Sequence, residues 1–94
     1  MITATIRDNG FRVEGHACYA PSGQDVVCAS VSALVGAIYN TIPLQILDKS
    51  DGVFDANCFD VPQADMCLMM LRCGLLNIQQ QYPDYLRVVS DTWN

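Results

Sequence analysis

Hydrophobic and polar residues alternate at the start of the chain. Residues 1–7 place Ile2, Ala4 and Ile6 at one parity, and this period of two predicts a β-strand with one buried face. The next three residues, DNG at 8–10, predict a tight hairpin turn of type I′, which requires positive φ at both central positions.

A second strand is predicted over residues 11–16, where the chain returns from the turn. Phe11 and Val13 are expected to point to the same core face as the first strand. His16, the only histidine of the chain, has the opposite parity and is not expected on that face.

Helical spacing begins after a loop at residues 18–24, in which Pro21 and Gly23 are breakers. Asp25 follows the loop and can cap a helix that we predict over residues 26–39. Hydrophobic residues at i, i+4, i+7, i+8 and i+11 form the buried stripe of this helix: Val27, Val31, Leu34, Val35 and Ile38.

The second half of the chain predicts two strands, a longer helix and a last strand. The strands are expected at residues 44–49 and 53–59, and the last one at residues 85–89. Between them, Asp60 and Pro62 favour a helix start, since proline at the first helical position loses no hydrogen bond.

This second helix runs to about Gln81 and is hydrophobic over a wide arc. A helix of this kind is usually buried on two sides, so we expect one side on the sheet and leave a partner subunit open for the other. Its hydrophobic positions are Met66, Leu68, Met69, Met70, Leu71, Cys73, Leu75, Leu76 and Ile78.

The resulting order of elements is ββαββαβ. Hairpins with helices that cross over one face predict an α+β fold, a two-layer α/β sandwich with a mostly antiparallel sheet and two helices on one face. Residues 1–94 are expected to form a single domain, because the chain is too short for two and has no linker.

Charge and hydropathy exclude several classes of function. The net charge is −5 and the five basic residues are scattered singly, so no nucleic-acid partner is expected and a basic protein partner is favoured. The N-terminus has no signal-peptide pattern and no hydrophobic run approaches the ~20 residues that span a bilayer. We therefore expect a cytoplasmic protein with no membrane contact.

The cysteine pattern argues against a metal site. The chain has five cysteines and one histidine, but no C-x-x-C pair, whereas structural zinc sites need paired ligands at short spacing. We expect no metal and no cofactor. Most of the thiols are expected to be small buried hydrophobic groups in a reducing compartment.

Cys28 is different, because it falls in the first turn of the helix if Asp25 is the cap. Unpaired N–H groups and the helix dipole both favour a thiolate there, and the same N–H groups can stabilise an oxyanion. The loop before the helix is long enough for His16 to approach Cys28. Asp25 at i−3 and Ser32 at i+4 share the helix face of Cys28.

Spacing alone leaves simpler interpretations open. A cysteine near a helix start often only packs, and a histidine at a strand end is often a surface or capping group. Asp25 can be no more than an N-cap, and Ser32 no more than a small residue at a helix–sheet contact.

Two segments carry a resemblance to a known family. Residues 15–34, GHACYAPSGQDVVCASVSAL, closely resemble the signature of the ribosomal-processing cysteine protease family Prp, which is roughly GHAGYA, a short glycine-containing loop, and GxDIVCAAVSAL. Residues 79–88, QQQYPDYLRV, resemble the family's QYPDY segment after its second helix. The resemblance covers essentially the whole chain.

The resemblance implies a small homodimeric cysteine endopeptidase. Family members remove an N-terminal extension from ribosomal protein number twenty-seven of the large subunit, cutting after an aromatic residue, and phage relatives cut capsid or scaffold precursors. It implies His16 and Cys28 as the catalytic pair, with Asp25 and Ser32 in support. It also implies a mobile substrate loop over the site, made of Tyr19, Ala20, Pro21, Ser22, Gly23 and Gln24.

The chain departs from the family pattern at two places. Cys18 stands where the family commonly has glycine, and its thiol can form a disulfide with Cys28 on oxidation. Pro21 restricts the motion of the loop. Three rival interpretations remain beside the ribosomal-protein protease: a phage-type maturation protease acting on capsid or scaffold precursors, a non-catalytic dimeric peptide-binding module, and a thiol redox sensor that uses Cys18 and Cys28.

Overall fold

The computed structural model describes residues 1–21 and 23–90, so Ser22 of the expected substrate loop lies outside the described residues. Within these ranges the chain forms five strands and two helices in the predicted order ββαββαβ. They are β1 (Ile2–Arg7), β2 (Gly10–Glu14), α1 (Val26–Thr41), β3 (Leu44–Ser50), β4 (Val53–Cys58), α2 (Ala64–Gln81) and β5 (Leu86–Ser90).

The strands form one mixed sheet with the order β3-β4-β2-β1-β5. β5 pairs with β1 in parallel, and every other pairing is antiparallel. The parallel pair requires a crossover connection, which α2 supplies between β4 and β5. The predicted mostly antiparallel sheet with two helices on one face is confirmed.

One hydrophobic core lies between the sheet and the helices. Ile2, Ala4 and Ile6 of β1 are buried while the residues between them are only partly buried, as the period-two pattern predicts. The helices cover this face with the following buried residues: Val27, Val31 and Ile38 from α1, and Ala64, Cys67, Leu68, Leu71 and Leu75 from α2. Neither helix of the described chain is long and apolar enough to cross a bilayer.

The hairpin between β1 and β2 forms as predicted, but its turn is not of type I′. Arg7 pairs with Gly10, which leaves Asp8 and Asn9 as the central residues, and none of residues 8–10 has a positive φ. The reason for glycine at position 10 lies in the next strand, because a Cβ there would collide with the carbonyl oxygen of Ala56 and with Asn57 Oδ1.

Several predicted boundaries are also wrong by a few residues, and α1 extends to Thr41 instead of ending at residue 39. β2 ends at Glu14 rather than at His16, because Gly15 adopts φ +97° and donates its N–H to the Gly52 carbonyl (2.8 Å). The strand thus leaves the sheet two residues before the histidine.

The second helix starts later than Asp60 and Pro62. Ala64 is its first residue, and the Ala64 N–H donates to the Val61 carbonyl (3.1 Å), which closes a turn before the helix. Gln63 occupies the cap position and makes no side-chain capping bond. The first turn of α2 contains one acidic residue, Asp65, whose charge is favoured at the positive end of the helix dipole.

The solvent face of the sheet is held by a cluster of charged side chains. Asp55 of β4 accepts from Arg7 Nη2 (2.7 Å) and from Arg12 Nη1 (3.1 Å), which reach it from β1 and β2. Burial by itself raises the pKa of Asp55, but the hydrogen bonds from both arginines outweigh it and hold the pKa below its ordinary value. The charged form of Asp55 therefore links three adjacent strands.

We expect Asp55→Asn to lower the free energy of unfolding by about 2 kcal/mol at pH 7, since two charge-assisted bonds are lost. A depressed carboxyl pKa stabilises the fold above the unfolded value and ceases to do so as pH falls through the folded value. The difference from the wild type should therefore shrink below about pH 4. Urea denaturation at pH 7 and pH 3 measures it, with the exposed Asp60→Asn as control. An equal loss at both pH values would contradict this account.

Candidate active site

The cap of α1 places Cys28 in the first turn, as predicted. Asp25 Oδ1 accepts the backbone N–H groups of Val27 and Cys28, both at 3.0 Å, and the Ala29 N–H bonds the Asp25 carbonyl (3.0 Å). The Cys28 side chain is partly buried. It stands at the positive end of the helix dipole, where negative charge is favoured.

The other oxygen of Asp25 reaches back to the preceding loop. Asp25 Oδ2 accepts the backbone N–H of Tyr19 at 3.0 Å. The pKa of Asp25 lies below its ordinary value because the N–H of Cys28 above all, and that of Tyr19, stabilise the carboxylate. Asp25 is therefore an ionised group bound on one side to the helix and on the other to the loop.

This arrangement limits what Asp25 and the first N–H groups of α1 can do. No hydrogen bond joins Asp25 to His16 within residues 1–21 and 23–90, so Asp25 has the geometry of a cap and not of a partner that orients the imidazole. The N–H groups of Val27 and Cys28 are already bonded to Asp25. An oxyanion formed at Cys28 would therefore need other donors.

His16 follows directly after Gly15, at which the chain leaves the sheet beyond β2. Its imidazole Nε2 lies against the turn between β3 and β4, only 2.9 Å from where a Cβ of Gly52 would stand. Gly52 also has φ +74°, a conformation that residues with a side chain rarely adopt. Glycine at position 52 thus leaves room for the imidazole.

One cleft of about 580 Å³ gathers the expected site residues. Its lining comes from the end of β2, the loop and the first two turns of α1: His16, Cys18, Ala20, Gly23, Gln24, Asp25, Val26, Cys28, Ala29 and Ser32. All four residues named as catalytic or supporting are among them. In the described residues no hydrogen bond links His16 to Cys28, although both line the same cavity.

The expected substrate loop contributes only in part. Ala20, Gly23 and Gln24 line the cleft, whereas Tyr19 and Pro21 do not. The Tyr19 ring instead meets the rings of Tyr82 and Tyr85 edge-on.

A second cleft, of about 470 Å³, continues from the first and shares His16, Cys28 and Ser32 with it. It lies between α1 and the β3–β4 hairpin. Hydrophobic and aromatic side chains form most of its lining: Ile2, Val13, Val31, Val35, Tyr39, Val53 and Phe54. Phe54 stacks on Phe11 with ring centroids 5.8 Å apart, and Tyr39 meets Phe54 edge-on at 6.3 Å.

Cys18 is the only residue other than glycine with a positive φ, +56°, in the described part of the chain. Glycine adopts such a φ without strain. The backbone conformation at position 18 therefore explains why the family signature that residues 15–34 resemble commonly has glycine there. Cys18 and Cys28 line the same cleft and both are free thiols.

The remaining three cysteines line neither cleft, and Cys67 alone of the five is buried, so the expectation that most of the thiols are buried is wrong. Partial burial raises the pKa of Cys58, Cys67 is buried in the core, and Cys73 is exposed on α2. Among the described residues no three histidine, cysteine or acidic side chains are grouped so that they could hold a metal ion.

Sequence reasoning missed Gly52 and the aromatic lining of the second cleft. Gly52 falls between the strands predicted at residues 44–49 and 53–59, and its contact with His16 depends on the pairing of β2 with β4. The sequence around Tyr39 and Phe54 does not show whether their side chains line a cleft or pack in the core.

Comparison with known proteins agrees with this geometry. The family model for the cysteine protease Prp matches residues 1–87. The ribosomal processing cysteine protease Prp of Bacillus subtilis (strain 168) is 33% identical over 113 residues, covering 97% of this chain and 98% of that protein.

Two solved structures of the Prp protease from S. aureus have the same fold. The complex with a covalently linked product peptide superposes with a TM-score of 0.87 at 24% identity, covering 97% of this chain and all of that one. The complex with a substrate peptide gives a TM-score of 0.80 at the same identity and coverage. With the family model matching nearly the whole chain and a cysteine in the first turn of α1, this protein belongs to the Prp family of cysteine proteases.

Proposed function

We propose that this chain is an endopeptidase that removes the N-terminal extension of ribosomal protein number twenty-seven of the large subunit, cutting after an aromatic residue. The observation that carries the proposal is the single cleft lined by His16, Cys28, Asp25 and Ser32. The B. subtilis relative is a ribosomal processing protease, and the two chains match over nearly their whole lengths.

The proposed chemistry uses Cys28 as nucleophile and His16 as base. His16 takes the thiol proton, and the thiolate attacks the scissile carbonyl carbon. When the tetrahedral intermediate collapses, the C–N bond breaks and His16 gives the proton to the leaving amine. Water then hydrolyses the thioester. Asp25 holds the helix turn that carries Cys28, and Ser32 shapes the wall shared by both clefts.

The negative net charge of the chain supports a basic substrate. We place the enzyme in the cytoplasm. The chain carries a net charge of −5, and ribosomal proteins are generally basic because they bind RNA. Attraction between opposite charges raises the rate of encounter and weakens with salt.

The lining of the second cleft favours a substrate with a hydrophobic residue next to the scissile bond. It opens beside Cys28, and its volume lies within the range typical of ligand sites, which are lined mainly by hydrophobic and aromatic side chains. Tyr39 and Phe54 offer ring edges and faces to an entering aromatic side chain.

A second copy of the chain is the proposed partner of α2. Met66, Met69 and Met70 are 58%, 50% and 63% exposed, and with the exposed Cys73 they follow the spacing i, i+3, i+4, i+7. The described single chain therefore buries only one side of this helix, although its hydrophobic residues surround it. A flexible hydrophobic stripe of this kind suits a helix–helix contact between two subunits.

Cys28→Ala should lower kcat/KM for the ribosomal precursor by at least about 10³-fold, because the attacking atom is lost. Mass spectrometry of the new N-terminus measures cleavage. Cys58→Ala is the matched control, since it removes another partly buried thiol outside both clefts and should leave cleavage unchanged. Cleavage by Cys28→Ala at the wild-type rate would refute the proposal.

The same experiment separates the protease from a peptide-binding module. A module would bind the precursor without any new N-terminus, and its Cys28 would react with iodoacetamide no faster than a free thiol near pH 7. The protease requires both cleavage and faster alkylation of Cys28.

Gly36→Phe should fill the second cleft and lower kcat/KM for substrates with an aromatic residue before the cut by about 100-fold, roughly the discrimination a hydrophobic pocket provides. Gly36 lines this cleft, and nothing lies within 4 Å of the position its Cβ would take, so the new side chain enters open space. Peptides with phenylalanine or alanine at that position measure the change. Gly36→Ala, which adds one methyl group, should keep the wild-type preference, and unchanged selectivity in Gly36→Phe would place the aromatic residue elsewhere.

Met69→Lys and Met70→Lys should each weaken the dimer at least about tenfold, because a charge would have to be buried in the contact. Sedimentation velocity over a concentration series measures the dissociation constant. Asn40→Lys adds the same charge on the exposed side of α1 and should leave it unchanged. A wild-type chain that stays monomeric at high concentration would rule out this dimer.

A further inference from the structure

Tyr19 lies between two residues that line the active-site cleft, Cys18 and Ala20, but its own ring is packed outside it. The ring centroid is 5.3 Å from that of Tyr82 at an interplanar angle of 79°, and 5.1 Å from that of Tyr85 at 85°. Both are the edge-to-face arrangement that aromatic rings favour. One ring thus contacts two others at once while remaining 43% exposed.

The two rings that receive Tyr19 are fixed by the backbone. Tyr82 is the C-cap of α2 and donates its N–H to the Ile78 carbonyl (2.8 Å). Its own carbonyl accepts from Tyr85 (3.0 Å) and Leu86 (3.2 Å), and the Tyr85 carbonyl accepts from Ile2 of β1 (2.9 Å). The contact therefore joins the wall of the cleft to the end of α2 and the start of β5.

The backbone of Tyr19 is tied to the nucleophile's helix. Its N–H donates to Asp25 Oδ2, while Asp25 Oδ1 accepts the N–H of Cys28. A displacement of Tyr19 would therefore disturb both the wall formed by Cys18 and Ala20 and the carboxylate that caps the turn of Cys28.

We propose that Tyr19 is a positioning residue of the active site, held by Tyr82 and Tyr85, and that this contact keeps the cleft wall and Asp25 in place for a bound peptide. The catalytic consequence rests on the proposed function. The contact also gives a role to residues 79–88, which resemble a family segment but contribute no residue to either cleft. Tyr19 touches no reacting atom and acts through Asp25 and its neighbours in the loop.

The contact needs the ring and not the hydroxyl group. No side-chain hydrogen bond of Tyr19 exists within the described residues, so phenylalanine should replace it without loss. Leucine keeps hydrophobic bulk but removes the edge-to-face geometry. Tyr19→Phe and Tyr19→Leu therefore form a matched pair, with Phe59→Leu as the control that removes another exposed aromatic ring, one that lines neither cleft.

The experiment measures peptide cleavage and Cys28 alkylation on the same preparations. Tyr19→Leu should lower kcat/KM by about tenfold, the effect of losing two aromatic pairs, mainly through KM. Alkylation of Cys28 by iodoacetamide, followed by mass spectrometry of its peptide, should become several-fold faster as the wall opens. Tyr19→Phe and Phe59→Leu should match the wild type in both measurements.

A double variant tests whether Tyr82 is one of the receiving rings. Tyr82→Leu should change both measurements in the same direction as Tyr19→Leu but by less, because the Tyr85 ring still contacts Tyr19. The two substitutions together should lose no more than Tyr19→Leu alone, since that variant already removes the contact with Tyr82. Thermal unfolding of each variant shows whether it is folded. If Tyr82→Leu is unfolded, Tyr85→Leu takes its place in the same cycle.

Opposite changes in cleavage and alkylation support the proposal, and unchanged values in Tyr19→Leu overturn it. A parallel fall in both measurements also overturns it, because it would indicate general damage to the site. The proposed function fails separately, if the wild type does not cleave the precursor. In that case the alkylation rates and the coupling between positions 19 and 82 still decide whether the contact of Tyr19 with Tyr82 holds the cleft wall in place.

Discussion

The carboxylate of Asp25 receives three backbone N–H groups from two different segments of the chain. A helix end leaves its first N–H groups without partners, and one acidic side chain satisfies two of them here. Its second oxygen fixes the loop at Tyr19. The position of Cys28 and the position of the opposing wall therefore depend on one ionised group, and the bonds that use it also keep it ionised.

This cap has a chemical consequence for the proposed catalysis. Donors that bind a carboxylate in the resting enzyme are not free to bind the oxyanion of a tetrahedral intermediate. Two N–H groups in the first turn of α1 therefore hold the helix end that carries the thiol, and the oxyanion of the proposed reaction would need donors other than these two. The cap that positions the Cys28 thiol thus occupies two N–H groups that could otherwise stabilise the charge formed in the proposed reaction.

Local features of the site could be predicted from sequence, whereas contacts between distant segments could not. The cap at Asp25 and the helix-face neighbours of Cys28 follow from short spacing, and the structure places them as expected. The predicted turn type at residues 8–10 is wrong because glycine at position 10 is required by its close contact with β4, a strand far along the chain, and not by the turn. The contact of Gly52 with His16 likewise depends on the register between β2 and β4, which no local pattern encodes.

The parallel pairing of β1 with β5 brings the first strand against the last described one. Closing so long a loop carries the largest entropic cost in the sheet, so this pair is expected to form late in folding. Tyr82 and Tyr85 come just before β5 in the sequence, so a ribosome adds them to the chain only after the other four strands have been made. A growing chain therefore carries its thiol and its histidine long before it carries the ring contacts that hold the wall of the cleft, so the cleft of a nascent chain stays unfinished until β5 is made.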